Sequence, residues 1–171
     1  MKIELKDISL DKFKKYQSIA TEYKDKNDID TYIQLVHILT DKSIEEVEEM
    51  ELDEFKDIVQ SIDISEENTT NLPFITKIEI DGKTYISTIK ESFNYNVKQI
   101  SLLTTIVKNN PTNYVTDLAA IVFKPVDDNG NILNDYTEAG INERKKLFNH
   151  NVTMNVIVPY LNLLVKHFNQ I

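Results

Sequence analysis

A chain of 171 residues, 41% hydrophobic and 27% charged, has the composition and length to bury a sizeable core, which excludes wholesale disorder. Three Gly and four Pro leave few turn residues for an all-β sandwich, and the absence of Cys excludes disulfides and thiolate metal sites. The net charge of −9 is uneven: residues 1–72 hold 19 acidic residues against 9 Lys, whereas residues 73–171 hold 9 against 10 bases. Clustered Lys and Arg are what neutralise phosphates, and the chain has a single Arg, Arg144. Direct nucleic-acid binding is therefore not expected. The acidity reads either as a solvated surface or as a face that meets a basic partner. No apolar run reaches the roughly 20 residues of a membrane helix, and MKIELKDISL is too polar for a signal-peptide core, so synthesis in the cytoplasm without membrane insertion is expected.

In chain order, Lys2–Leu5 suits a short strand that joins a later hairpin as its third strand. Ser9 is placed to cap a helix carrying Leu10, Phe13, Tyr16 and Ala20 on one side. Asp30 is expected to cap a second helix, with Tyr32, Ile33, Val36 and Leu39 at helical spacing. Ser43 with Glu46 forms a capping-box pattern, and Asp53 opens a helix with Phe55, Ile58, Val59 and Ile62. The polar stretch 63–73 is a linker candidate. Residues 1–62 then form an acidic helical module and 74–171 a hairpin plus helical module, unless residues 1–171 make one single domain.

FITKIEIDGKTYISTI, residues 74–89, alternates apolar and polar residues around Asp81-Gly82, a pair suited to a two-residue turn because Gly takes positive φ freely. That turn pairs Ile80 with Lys83, Ile78 with Tyr85 and Thr76 with Ser87. It places Phe74, Ile78, Ile80 and Tyr85 on one face. Beyond it, Val97, Ile100, Leu103, Ile106 and Val107 mark a helix ended by Asn109-Asn110-Pro111. A helix starting at Thr112 or Asn113 carries Tyr114, Leu118, Ile121 and Val122 inward, and 126–131 is turn composition. A charged helix spans Ile141 to Phe148. The apolar segment from Val152 to Phe168 contains Pro159, which predicts a kink or a helix beginning near Val158. The expected fold is α+β, mostly helical, with a small antiparallel hairpin or three-stranded sheet.

The search for chemistry assigns no catalytic residue, no metal site and no cofactor. His37 sits between Val36 and Ile38, where a structural role is the plainer reading. His150 and His167 lack a partner at metal-ligand spacing. Asp127, Asp128 and Asn129 before Gly130 resemble a calcium loop, but the first and twelfth ligand positions fall on Pro125 and Tyr136. The remaining signal is aromatic and apolar. Tyr85, Phe93 and Tyr95, together with Leu163 in the C-terminal segment, are the candidate protein interface; packing within the core is the plainer reading for the three aromatic residues and an equal one for the C-terminal segment.

Two stretches carry a family resemblance. DIDTYIQLVHILTDKSIEEVEEMELDEF, residues 28–55, resembles the tail-assembly chaperones of tailed bacteriophages in its succession of helix, short acidic helix and further helix. The Asp-Gly-Lys-x-Tyr hairpin, LAAIVFKP, Tyr136-Thr137-Glu138, ERKKLF and the Pro-containing C-terminal helix are similar to small proteins from phage structural gene blocks, the crAss-like group included. The resemblance implies a non-enzymatic virion component acting through protein–protein contacts, as a tail or portal-proximal ring protein or a packaged internal protein. A soluble chaperone absent from the virion is the alternative, and an acidic host-directed binding module a third reading. The implied partners are other phage structural proteins, with self-association into a homo-oligomer or larger assembly. The implied location is the bacterial host cytoplasm and then the virion.

Overall fold

The computed structural model describes residues 3–22, 28–61, 71–89, 95–110 and 114–168, the side chains of 167 and 168 aside. Among them the chain forms eight α-helices and one three-stranded antiparallel sheet. A 3-10 turn, Leu5–Asp7, precedes α1 (Leu10–Glu22), α2 (Ile29–Thr40), α3 (Ile44–Glu48) and α4 (Leu52–Ser61). β1 (Lys77–Ile80), β2 (Lys83–Ile86), α5 (Val97–Asn109), α6 (Val115–Val122), β3 (Lys124–Pro125), α7 (Glu138–Asn151) and α8 (Met154–Phe168) follow. The fold is α+β and mostly helical, with strand order β1-β2-β3.

The hairpin has the expected register: Ile78 faces Tyr85, Ile80 faces Lys83, and the Ser87 amide donates to the Thr76 carbonyl. Asp81 and Gly82 both hold positive φ, 50° and 73°, which matches the right-handed twist of the strands they join. Ile80 and Tyr85 turn inward while Lys77 and Glu79 face solvent.

Capping holds at two of the expected places. The Ser9 hydroxyl accepts from the Lys12 amide, and Ser43 with Glu46 closes a reciprocal capping box. Asp30, however, lies inside α2, and the cap is Asp28, whose carboxylate accepts from Thr31. Either carboxylate suits the sequence; the three-residue reach to Thr31 selects the earlier one.

Of the expected Lys2–Leu5 strand, Lys2 lies outside the described residues and residues 3–5 form no strand, because the Asp7 carboxylate accepts from the Glu4 amide and folds the chain into a turn. The third strand is instead Lys124–Pro125, paired with β2. Ile3 and Ile8 are buried, and Ile8 and Leu10 exchange backbone hydrogen bonds with Met154 and Val152, clipping the N-terminus to the start of α8. On helix α5 the expected face holds at Ile100, Leu103, Ile106 and Val107, which pack in or against the core, but not at its first residue. Val97 is 87% exposed, whereas Gln99 and Leu103 are buried. The Gln99 amide donates to the Ile121 carbonyl while its oxygen accepts from Asn96, so a polar side chain enters the core fully partnered.

α8 runs continuously from Met154 through Pro159, four residues earlier than the Val158 start expected as one option. Proline cannot donate to the Asn155 carbonyl, but Val156 to Tyr160 are all buried, and tertiary burial outweighs that local cost. The expected starts at Thr112 and Asn113, and most of the 63–73 linker candidate, lie outside the described residues.

At the centre is α6. All its residues except Asp117 are buried, and it packs against α1, α5, α7 and α8. Around it runs a chain of edge-to-face rings: Tyr85 on Phe148 at 5.0 Å, Phe148 near Phe123, Phe123 on Tyr160 at 5.5 Å, and Tyr160 on Phe74 at 5.2 Å. Such contacts add about 0.5–1.5 kcal/mol per pair beyond area burial. One buried cluster draws side chains from α1, α2 and α4 as well as from the sheet and α5–α8.

Candidate functional site

The aromatic candidates go inward. Tyr85 is 4% exposed beneath β2, and Tyr95 donates its hydroxyl to the Tyr160 carbonyl at 3.0 Å. Tyr160 in turn donates to the Ile75 carbonyl at 2.9 Å, so two phenols tie α8 to both flanks of the hairpin. Burial, reinforced by the neighbouring Tyr160, holds the Tyr95 phenol far above its usual range, and it stays neutral. Asn96, next in sequence, is the exposed cap of α5 while Tyr95 turns into the core. Leu163 is half-buried against the core, and Phe93 lies outside the described residues. Tyr85 and Tyr95 are thus brought to the interior, and the three described candidates do not form one exposed surface.

A polar centre that sequence reasoning passed over lies where α6 ends and β3 begins. Arg144, on α7, is 4% exposed. Its Nε donates to the Ala120 carbonyl at 2.7 Å and its Nη2 to the Asp135 carbonyl at 2.6 Å. Ala120 belongs to the last turn of α6, whose carbonyls have no partner within the helix, and a cation is favoured at that pole. The Asp135 carboxylate, 3.9 Å from Nη1, accepts instead from the amide and hydroxyl of Thr137. Those Thr137 bonds, ahead of the more distant guanidinium, hold the Asp135 carboxyl below its ordinary value. Thr137 then caps α7 by accepting from Gly140, and a side chain at 140 would overlap the Asp135 carboxylate.

Lys124 is the second buried cation here, 3% exposed. It donates to Asn134 at 2.9 Å and lies 5.4 Å from the centroid of the Tyr136 ring, whose hydroxyl accepts from Asn96. Together Arg144 and Lys124 fasten residues 124–137 across the end of the core. A signal existed: Arg144 is the only Arg in the chain, and Lys124 is wedged between Phe123 and Pro125.

A second polar seam joins α1, α6 and α7. Asn149 donates to Asp11 at 3.0 Å and accepts from Thr116, Asp11 pairs with Lys15 at 2.7 Å, and Lys145 pairs with Asp117. Partial burial pushes the Asp11 carboxyl up, but the Lys15 and Asn149 bonds outweigh it and the net shift is downward.

His37 and Asp127 hold turns together. His37 donates from Nδ1 to the Lys42 carbonyl at 2.6 Å, closing the turn after α2. His150 is exposed, and the His167 side chain lies outside the described residues. Asp127 accepts from the Asn129 and Asn131 amides and from the Asn131 side chain, which builds the 126–132 turn. Among the described residues, no group of three His, Cys, Asp or Glu is placed to hold a metal ion.

What the arrangement offers is surface. On α3, α4 and the turn between them, Glu45, Glu46, Glu48, Glu49, Glu51, Asp53, Glu54 and Asp57 are exposed, and Leu52 lies among them in sequence at 59% exposure. Ile29, Val97, Leu133 and Val165 are the other large exposed apolar side chains among the described residues. At the sheet margin, β1 is an edge strand among the described strands.

The fold and these surfaces define a mostly helical α+β protein with a closed aromatic core and an exposed acidic stretch. No described helix is long and apolar enough to cross a membrane. No family model matches the chain, and no curated protein and no solved structure matches it.

Proposed function

We propose that the chain is a non-enzymatic component of a tailed-phage virion, a tail or portal-proximal ring protein or a packaged internal protein, that works through protein–protein contacts. The observation that carries this reading is the run of exposed carboxylates over residues 45–57 with Leu52, 59% exposed, between Glu51 and Asp53. An exposed apolar side chain flanked in sequence by carboxylates suits a partner that offers an apolar pocket with a basic rim: burial supplies affinity, and the charges supply orientation and encounter rate. This run lies within and just beyond residues 28–55, the stretch that resembles tail-assembly chaperones, and the resemblance of the hairpin and later motifs to phage structural proteins supports the same setting. Other phage structural proteins are the partners this reading names.

Mass spectrometry of purified particles tests it. The reading expects the chain at a fixed copy number per particle. Its absence from particles, with recovery in a soluble complex with a tail protein, overturns the virion reading in favour of the chaperone that the same stretch resembles. Contact through the acidic run also predicts that partner binding weakens steeply with added salt, since exposed charges are screened within about 8–10 Å at physiological ionic strength.

A further inference from the structure

The outer edge of β1 is written in a self-complementary code. In the hairpin, Thr76, Ile78 and Ile80 turn their amides and carbonyls toward β2, as the Thr76–Ser87 bond and the register require. Lys77 and Glu79 therefore direct theirs outward, where the described structure gives them no partner. Their side chains lie on the solvent face, 58% and 63% exposed, and pair with each other along the strand at 2.6 Å. The opposite margin of the sheet is closed differently: β3 is two residues long, contains Pro125, and is followed by a turn that bridges Val126 to Ile132.

We propose that β1 is the contact through which two copies of this chain associate, edge to edge and antiparallel, about a two-fold axis at Ile78. In that register Lys77 of each copy lies opposite Glu79 of the other, and both are the residues whose backbone groups point outward. Each Lys77–Glu79 pair can then exchange two backbone hydrogen bonds and bring opposite charges together on the solvent face. Ile78 meets its own counterpart on the inner face, where it is half-buried in the single chain. A slip by two residues breaks both charge pairs, so the pattern selects one register. A short charged edge ordinarily blocks sheet addition. This one blocks strands with like charge at the facing positions and accepts a copy of itself. The inference rests on the association reading above and names a second copy of the chain as one partner.

Sedimentation equilibrium of the purified chain over a wide concentration range gives the test, with thermal melting as a check on folding. The wild type is expected to show a reversible monomer–dimer equilibrium. Glu79→Lys places Lys opposite Lys and Lys77→Glu places Glu opposite Glu, so each variant alone is expected to dimerise at least about tenfold more weakly. An equimolar mixture of the two restores opposite pairs at both positions and is expected to recover the dimer as a heterodimer. The double swap Lys77→Glu/Glu79→Lys is expected to recover it in one chain. A wild type that stays monomeric throughout overturns the proposal, as does a dimer that the wild type and both single variants form equally. The result is independent of particle composition: a chain absent from virions but dimeric through β1 overturns the virion reading alone, and a virion protein that is monomeric in solution overturns this one alone.

Discussion

Replacing Arg144 with Met is the sharpest probe of how this core is held. The side chain is 4% exposed and serves two backbone carbonyls, Ala120 at 2.7 Å and Asp135 at 2.6 Å. Hydrogen bonds from a charged donor contribute about 1.5–3 kcal/mol each, a gross loss of about 3–6 kcal/mol. Met fills most of the volume and no longer requires a guanidinium to be desolvated, which offsets part of that loss. The carbonyls cannot be substituted away, however, and they remain without a donor at a packed helix end. A net destabilisation of about 2–4 kcal/mol is expected, measured by urea unfolding followed through far-ultraviolet circular dichroism. Arg144→Lys keeps the charge but not the fork, and is expected to lose less, about 1–3 kcal/mol. Amide exchange should quicken at Phe123, which donates to Ala119, and at Leu133, which donates to Pro125, before it does at Leu103 in α5. A Met variant within about 0.5 kcal/mol of wild type would refute the reasoning, because it would show both carbonyls satisfied without the guanidinium.

Three further outcomes are expected. Gly82→Val meets no neighbour within 4 Å but must hold φ of +73°, so backbone strain alone should lower stability by about 1–2 kcal/mol in the same urea assay. Gly140→Ala should destabilise although Ala favours helices by about 1 kcal/mol, because its Cβ displaces the Asp135 carboxylate from Thr137; adding Asp135→Gly removes the overlap and should restore part of the loss. The carboxyls of Asp11 and Asp135 are held below their ordinary value, so the unfolded chain binds protons first as pH falls. Their contribution is full above about pH 4 and is lost as pH drops through the lowered values, and Asp135→Asn should flatten the acid limb of a stability–pH curve.

The hairpin was legible because its signals are local: period-two alternation and a turn pair that tolerates positive φ decide the register without help from the rest of the chain. Helix α2 and α3 followed from spacing and caps for the same reason, with the cap of α2 shifted by two residues because Asp28 and Asp30 look alike until the reach to Thr31 is known. The expected Lys2–Leu5 strand failed because a side-chain bond from Asp7 back to Glu4 outcompetes β-propensity over so short a run. On α5 only Val97 leaves the expected face, while Gln99 joins the core because its two partners, Asn96 and the Ile121 carbonyl, satisfy a side chain that looks polar in sequence. Tyr95 goes to the core, which was the plainer reading of the aromatic cluster. Arg144 and Lys124 were invisible as a unit, since their acceptors are backbone carbonyls and an Asn, which carry no signature. The β1 edge needed the hairpin parity to show which residues face outward.

The ring chain through the core also makes the protein its own optical reporter. There are eight Tyr and no Trp, so phenols dominate near-ultraviolet absorption and emission, and Tyr85, Tyr95 and Tyr160 sit in asymmetric packed settings. Burial raises the pKa of all three. Their stabilising effect is present below the ordinary phenol value and is lost as pH rises toward the raised ones, because the unfolded chain then releases protons more readily. An alkaline titration should therefore show surface phenols ionising smoothly, followed by a cooperative step in which tyrosinate absorbance and the loss of near-ultraviolet ellipticity coincide. The rings that close the interior set its alkaline limit and announce when it has been crossed.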